Sequence, residues 1–254
     1  MTGEGNNTYL LADAHGDAAL VDAGVGNPQH LDALARALDA ADAVLTAVLV
    51  THGHADHASG APALAAAYPA AHFWKHPWPS EDARYVVDWR DVNDRDVIAA
   101  GREPLMALHT PGHSPDHLAF WHQPSGTIFS GDLVVLGGSV MIHWSRGGNL
   151  SQYLNSLERL RALEPHRLLP AHGPLIDDPR AVLTGYLDHR REREQQVLAS
   201  LGAGHRTVQT IADSIYDGLS PSLMTAAQEN VRAHLEKLRS EGAAAEDGGE
   251  WRRI

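Results

Sequence analysis

Short hydrophobic segments separated by turns run through the first 180 residues of the chain. The segments 9–13 and 18–24 have the length and composition of two strands joined by a turn. Apolar residues within 28–40 recur on one helical face, and 43–50 is an apolar run typical of a strand covered on both sides. This alternation of strand and helix predicts α/β layers rather than a barrel.

The mixed pattern continues to about residue 179 and then changes. It predicts helices at 58–67 and 150–163 and strands at 71–74, 105–109, 118–122, 127–130 and 167–169. Beyond it, helices are predicted at 180–200, 207–216 and 222–241, followed by a short terminal strand. We therefore predict two units, an α/β domain at 1–179 and a winged-helix-like module at 180–254.

The composition excludes several kinds of protein. The 254 residues include no cysteine, which rules out a disulfide framework, a thiolate nucleophile and any metal site with cysteine ligands. The formal net charge of -12 disfavours general binding of nucleic acids. No apolar run is long enough to span a membrane and the first residues are polar, so we expect a cytoplasmic protein without membrane attachment. Nothing in the pattern specifies an oligomeric state.

Side chains able to bind metals gather directly after the apolar run at 43–50. The segment Thr51-His52-Gly53-His54-Ala55-Asp56-His57 supplies four of them where a strand ends and a helix begins. Three more stand beside glycine or proline turns after predicted strands: His113, Asp132 and His172. Strand ends of this kind line the crevice of α/β sheets. Five imidazoles and two carboxylates suffice for two metals and suit Zn²⁺ best, with Mn²⁺ or Fe as alternatives.

With this set of seven residues, the sequence resembles the metallo-β-lactamase-fold superfamily. The resemblance covers the chain from Asn7 to Pro174. The resemblance implies a four-layer αββα fold and two Zn²⁺ per chain. It implies that one metal is held by His52, His54 and His113, the other by Asp56, His57 and His172, with Asp132 bridging them. A hydroxide between the ions would be the nucleophile. Asp56 and Asp132 are then the catalytic residues, with Asp56 orienting the water and relaying a proton.

The same resemblance narrows the reaction. One subclass of true β-lactamases needs a cysteine at the second metal and another needs a histidine where this chain has Ala58, so we do not expect a true β-lactamase. The segments 110–117, 172–174, 186–190 and 194–196 resemble the β-lactamase-like-protein-2 group, which includes an endoribonuclease on single-stranded RNA and enzymes that cleave polyketide thioesters. Relatives carry a further strand before Asn6, so either the start is truncated or the first sheet is one strand short.

Three hypotheses follow. The first, which we favour, is a zinc-dependent dinuclear hydrolase of a thioester or other acyl ester, acting on a small acyl substrate. The second is a metal-dependent phosphodiesterase or endoribonuclease on single-stranded RNA. The third, a DNA-binding regulator with an inactive hydrolase domain, is disfavoured by the intact ligand set. Residues 181–254 also carry nine Arg plus Lys against eleven Asp plus Glu, so we expect no duplex DNA binding and predict that the module walls the cleft.

Other features have ordinary alternatives. His117 is predicted to support a ligand, because metal-bound imidazoles need their second nitrogen held. The remaining histidines are expected at the surface or in turns: His15, His30, His122, His205 and His234. The tryptophans in 73–89 and Trp144 are interpreted either as packing or as a rim for an acyl group or a base. Arg159 and Arg161 are expected to be solvated.

Overall fold

Two five-stranded sheets form the centre of the molecule. The computed structural model describes residues 5–12, 16–101 and 103–254. The first sheet has the order β1-β2-β3-β4-β5, in which β1 is antiparallel to β2 and the other neighbours are parallel. Its strands are β1 Tyr9–Ala12, β2 Asp17–Val21, β3 Val44–Leu49, β4 His72–Lys75 and β5 Trp89–Asp91.

The second sheet has the order β10-β9-β8-β7-β6. It is antiparallel except between β9 and β10, which run parallel. Its strands are β6 Val97–Ala100, β7 Glu103–His109, β8 Leu118–His122, β9 Thr127–Gly131 and β10 Arg167–Pro170. Strands buried on both faces explain the apolar runs in the sequence, because each face of a sheet packs against a different layer.

Helices cover the outer face of each sheet. The first sheet is covered by α1 Pro28–Ala41, α2 Ala55–Ala58 and α3 Ala61–Ala67, with α4 Pro79–Asp82 nearby. The second is covered by α5 Leu150–Ala162 and the first half of α6 Pro179–Gly202. A separate apolar layer fills the space between the sheets. These layers are the predicted αββα architecture.

The C-terminal residues form a helical module with a hairpin. It contains the second half of α6, then α7 Val208–Ile215, α8 Pro221–Ser240, β11 Ala244–Asp247 and β12 Glu250–Arg253. Its core includes Val197 and Leu201 of α6 together with the fully buried Trp251. Since α6 also packs Leu183 and Leu187 against α5, this helix belongs to both hydrophobic cores. The division at residue 179 therefore remains a prediction.

Some predicted elements differ in detail. The helix predicted at 58–67 is divided into α2 and α3, with Gly60 between them. Gly60 lies so close to the loop after β2 that a Cβ there would be 2.2 Å from the carbonyl oxygen of Ala23. The sequence predicted no helix or strand between the strands at 71–74 and 105–109, whereas the structure has α4, β5 and β6 there. These strands have three and four residues, too few to show a period in the sequence. No helix among the described residues is long and apolar enough to cross a membrane.

Candidate metal centre

The seven predicted ligands lie together at one edge of the two sheets. His52, His54, Asp56 and His57 follow β3 and occupy the turn into α2, whose first residue is Ala55. The other three follow strands of the second sheet: His113 after β7, Asp132 after β9 and His172 after β10. Because β3, β7, β9 and β10 end at the same edge, residues from distant parts of the sequence reach one site.

Three imidazoles form the first group. The ring nitrogens His52 Nε2 and His113 Nε2 lie 2.8 and 3.0 Å from His54 Nδ1. Burial lowers the pKa of His54 to about 4, with His113 adding to the effect, and burial also lowers the pKa of His52 and of His113. These rings are therefore neutral near pH 7, which is the state that binds a metal.

Asp56, His57 and His172 form the second group, and Asp132 lies between the two groups. Asp132 Oδ1 is 3.5 Å from His57 Nε2 and 3.3 Å from His172 Nε2, whereas Asp132 Oδ2 is 3.4 Å from His113 Nε2. Asp56 Oδ2 is 3.4 Å from His172 Nε2. One carboxylate thus faces both groups, which is the arrangement a bridging ligand requires.

The donor atoms fit metal ions. Among the described residues, His57 Nε2 and Asp132 Oδ1 are buried without a hydrogen-bond partner, and both are directed into the cluster. Buried polar atoms normally find partners, so these two atoms are suited to binding a cation. The neighbouring carboxylates of Asp132 and Asp56 raise the pKa of His172 to about 10. For His57, burial opposes protonation, but the carboxylates of Asp22 and Asp132 raise its pKa overall. A cation would take the place of these protons.

Backbone and carboxylate oxygens hold the second nitrogen of several rings. His57 Nδ1 lies 2.8 Å from Asp22 Oδ2, and His113 Nδ1 lies 3.0 Å from the carbonyl oxygen of Met141. His172 Nδ1 lies 2.8 Å from the carbonyl oxygen of Gly5. Such contacts fix the tautomer and direction of a ligand. Sequence reasoning missed Asp22, whose only signal is its place at the end of β2.

His117 supports the site through the backbone of Asp132. The Asp132 amide donates to His117 Nε2 at 3.0 Å, so the proton of this ring is on Nδ1, which lies 2.9 Å from Thr110 Oγ1. Gly131 permits this contact: its φ is +50°, and a Cβ there would be 2.5 Å from His117 Nε2. His117 therefore supports a candidate ligand, as predicted, but it holds the backbone of Asp132 rather than the ring of a histidine ligand.

A buried ion pair lies under the loop that carries the first ligands. Lys75 Nζ is 2.7 Å from Asp116 Oδ2, and the two side chains are 1% and 0% exposed. The same carboxylate oxygen accepts the Gly53 amide hydrogen at 2.7 Å. Lys75 Nζ is also 2.7 Å from Asp82 Oδ1 of α4. Sequence reasoning passed over this network, because Gly53, Lys75 and Asp116 are far apart in sequence.

A cavity of about 630 Å³ opens beside the cluster. Its lining includes His54, Asp56, His113, Asp132 and His172. The rest of the lining combines apolar side chains with two arginines and a histidine, mainly Val25, Val134, Val135, Val140, Met141, Arg84, His143 and Arg146. No tryptophan is among the described lining residues. The Trp78 ring centroid lies 6.4 Å from that of His54, while Trp74 and Trp89 take part in core packing.

Residues of the predicted module at 180–254 contact the back of this wall rather than the cavity itself. The Tyr186 hydroxyl donates to the Val135 carbonyl oxygen and accepts its amide hydrogen, both at 2.9 Å. Arg190, which is 1% exposed, donates to the carbonyl oxygen of Val140 and to Asn230 Oδ1 of α8. The prediction that the module walls the cleft is therefore wrong for the described lining. The module instead holds Val135 and Val140, which belong to the segment that lines the cavity.

Two other interpretations from the sequence also change. His234, expected at the surface, is fully buried in α8. Arg159, expected to be solvated, donates to Asp94 and to the carbonyl oxygen of His109, which attaches α5 to the second sheet. Arg161 matches its expected role more closely, because it pairs with Glu158 on the same helix.

Comparison with known proteins identifies the family. Residues 1–172 match the profile described as the metallo-beta-lactamase superfamily, and residues 207–251 match that of the beta-lactamase associated winged helix domain. The first match covers more than half of the chain. The chain therefore belongs to the metallo-beta-lactamase superfamily and carries its associated winged helix domain, as the sequence predicted.

Three curated relatives show which members of the superfamily this chain is similar to. The lactamase-like protein aptB of Emericella nidulans is 34% identical over 78% of this chain, and the match spans 60% of that protein. The atrochrysone carboxyl ACP thioesterase of Aspergillus chevalieri is 32% identical over 84% of this chain and 68% of its own length. The beta-lactamase-like protein 2 homolog of Drosophila melanogaster is 29% identical over 95% of this chain and 85% of its own length. The predicted likeness to the last group is thus confirmed.

Solved structures have the same fold. A metallo-beta-lactamase family protein of Thermus thermophilus superposes with a TM-score of 0.79 at 23% identity, over 98% of this chain and 94% of that one. The protein TTHA1623, solved in a di-iron-bound form, has a TM-score of 0.58 at 29% identity, over 73% of this chain and 92% of that one. The superposition on the Thermus thermophilus protein covers nearly the whole chain, so the shared fold includes the C-terminal module.

Proposed function

We propose that this chain is a dinuclear metal-dependent hydrolase that cleaves thioesters or other acyl esters. In this proposal His52, His54 and His113 hold one metal, Asp56, His57 and His172 hold the other, and Asp132 bridges them. The observation that carries the proposal is the position of Asp132, whose two oxygens face the two groups at 3.3–3.5 Å. Zinc is the metal that this nitrogen and oxygen set suits best, with manganese and iron as alternatives.

Metals bound there would acidify a water molecule and polarise the oxygen of the scissile group. Asp56 is the residue we assign to proton handling. Its side chain is 27% exposed, compared with 15% for Asp132, and it lines the cavity from which a substrate would enter. Its carboxylate can orient the attacking water and accept a proton from it. Asp132, held through its backbone by His117, would keep the two ligand groups at a fixed distance from each other.

An acyl substrate is supported by the cavity wall and by a relative. Val134, Val135, Val140 and Met141 offer an apolar surface beside the ligands, as an acyl chain would need. The Aspergillus chevalieri relative is named as a thioesterase. Cleavage of single-stranded RNA is the competing activity, and the net charge of -12 makes it the less favoured one.

Metal content gives the first test. Protein saturated with metal and then freed of excess is expected to contain close to two equivalents per chain by elemental analysis, mostly zinc. A reproducible single equivalent would show that one of the two groups does not bind a metal.

Turnover gives the second test. Purified protein is assayed on a series of acyl thioesters and on single-stranded RNA. We expect thioester hydrolysis, with Asp132→Ala and His54→Ala each lowering it by about 100-fold or more, on the order of what loss of an essential catalytic group costs. His122→Ala is the matched control, because His122 ends β8 and its side chain bonds to Ser125 and Glu103, away from the cluster. RNA cleavage without thioester hydrolysis would reverse the assignment.

A further inference from the structure

We propose that Arg146 binds an anionic oxygen group, carboxylate or phosphate, at a part of the substrate away from the bond that is cleaved. This inference rests on the proposed function and adds the substrate class: an acyl thioester that carries a negative charge. The feature behind it is an arginine in the wall of the cavity beside the metal cluster that has no partner among the described residues.

The two arginines of this wall differ in their partners. Arg84 is paired with Glu81 on the same segment. The exposed Arg146 side chain makes no hydrogen bond or ion pair with any of the residues that the structure describes, although 32 Asp and Glu are present in the chain. An arginine that faces a cavity without a carboxylate partner is available to a ligand. Its planar guanidinium matches carboxylate and phosphate groups, which it can bind through two parallel hydrogen bonds.

Arg146 is held in place from behind. It ends a 3₁₀ turn, Trp144–Arg146, that packs on α8 of the C-terminal module. The Ser145 amide donates to Glu229 Oε2 at 3.1 Å, and the Arg232 guanidinium lies 4.7 Å from the Trp144 ring centroid. The turn is closed by the Gly148 amide, which donates to the His143 carbonyl oxygen at 2.8 Å. A fixed backbone under a flexible charged side chain is suited to selecting a ligand.

The position of Arg146 relative to the cluster sets which part of the substrate it would contact. The Met141 carbonyl oxygen contacts His113 Nδ1, and Arg146 follows five residues later. Five residues span at most about 18 Å. The wall between them includes the neutral ring of His143, whose pKa is lowered by burial and also by the charge of Arg146. The scissile carbonyl would therefore lie at the ligand cluster and the anionic group farther along the wall.

The overall charge of the chain also favours a role for Arg146 in binding an anion. A chain of net charge -12 repels anions unless cations are placed locally. Neutral thioesters would gain nothing from an arginine at this place, whereas an anionic one would gain charge-assisted hydrogen bonds worth roughly a 10- to 100-fold change in binding. The charge could come from the thiol side, as the phosphate of a phosphopantetheine arm, or from a carboxylate on the acyl side.

Three matched thioesters separate these sources. Butyryl-pantetheine is neutral, butyryl-4′-phosphopantetheine adds a phosphate on the thiol side, and succinyl-pantetheine adds a carboxylate on the acyl side. We expect the wild-type enzyme to favour one of the anionic substrates in kcat/KM over the neutral one by about tenfold or more. Arg146→Gln should remove most of this preference, Arg146→Lys should restore part of it, and rising salt should weaken it.

Arg36→Gln is the control, because Arg36 is also exposed but lies on α1 and outside the cavity lining. It should leave all three rates unchanged. Equal loss on all three substrates in Arg146→Gln, or no wild-type preference for either anionic substrate, would overturn the inference. Titration calorimetry with uncleavable thioether analogues of the same three compounds measures binding without turnover. Arg146-dependent binding of an anionic analogue in an enzyme that cleaves no thioester would refute the proposed hydrolysis but support the anion site.

Discussion

Single residues in this chain show that a buried charge is tolerated where its partners are complete. Lys75 is 1% exposed but lies 2.7 Å from both Asp116 and Asp82, and the Asp116 carboxylate also accepts the Gly53 amide hydrogen. A buried ion pair adds little net stability, but removal of one member leaves the other charge unpaired. The pair therefore serves to fix the loop that carries His52 and His54.

Lys75→Met should destabilise the fold by about 3–5 kcal/mol, because it leaves Asp116 buried without its cation. Denaturant unfolding of protein in one metal state measures this change. Arg191→Met is the control: Arg191 is 58% exposed and pairs with Asp188 and Glu158, so its loss should cost less than about 1 kcal/mol. Similar losses in the two variants would mean that the buried pair has no special role.

His234 is the residue for which the sequence-based expectation of a surface position was wrong. It is fully buried, its two ring nitrogens have no hydrogen-bond partner among the described residues, and Glu194 Oε2 is 3.9 Å away. Burial lowers its pKa to about 4, against the opposing effect of Glu194. The unfolded chain, with an ordinary pKa of about 6.5, then binds more protons than the folded protein between these two pKa values.

Folding stability should therefore fall as the pH drops through this window. Between pH 7 and pH 5, protonation of His234 in the unfolded chain should lower the free energy of unfolding by about 2 kcal/mol. His234→Leu should show a smaller loss than the wild-type protein between these two pH values, because leucine does not titrate. Unfolding free energies of both proteins at pH 7 and pH 5 decide the matter. Parallel losses would show that His234 is protonated alike in the folded and unfolded chains.

Among the elements, α6 connects the module to the site. Its Tyr186 binds both backbone groups of Val135, and its Arg190 binds Val140 and Asn230. The sequence showed a charged helix and suggested a boundary at its start. It did not show that this helix positions the cavity wall, because the contacted wall residues lie about 50 positions earlier in the chain.

Tyr186→Phe should lower thioester kcat/KM several-fold while the protein keeps its metal content. The variant leaves the amide and carbonyl groups of Val135 without their partner, at a cost of about 1–3 kcal/mol, and so loosens the wall. Tyr68→Phe is the control, because no side-chain hydrogen bond of Tyr68 is found in the described structure and it lies at the end of α3. Loss of metal from Tyr186→Phe would show instead that α6 supports the ligands themselves.

At the scale of the whole molecule, the candidate ligands join the two sheets. His52, His54, Asp56 and His57 follow a strand of the first sheet, whereas His113, Asp132 and His172 follow strands of the second. Metals bound by both sets would act as cross-links between the sheets and stabilise only the folded chain.

Chelation should therefore lower Tm markedly, and added metal should restore it in a concentration-dependent way. Differential scanning calorimetry with and without a chelator measures this. His122→Ala should respond to the chelator as the wild-type protein does, whereas Asp132→Ala should show a much smaller response. A chelator-insensitive Tm in metal-loaded wild-type protein would contradict a linking role.

The four-layer αββα arrangement was implied by the resemblance to the superfamily. The sequence by itself determined the α/β layering, the helices α1, α5, α7 and α8 within a few residues, and the identity of the seven candidate ligands. These features depend on local information: apolar runs, helical periodicity, and ligand-type side chains beside glycine and proline turns. The motif could be recognised in the sequence because His52, His54, Asp56 and His57 lie close together in the turn between β3 and α2.

Only the tertiary structure decided how the site is supported and bounded. The contact of Asp22 with His57, the pair of Lys75 and Asp116, and the place of Arg146 in the cavity wall each depend on what approaches from elsewhere in the chain. His234 is buried by helix packing that its neighbours in sequence do not reveal. The physical reason is the same in each case: hydrogen bonds and burial depend on distances in space, and the side chains concerned are far apart along the chain.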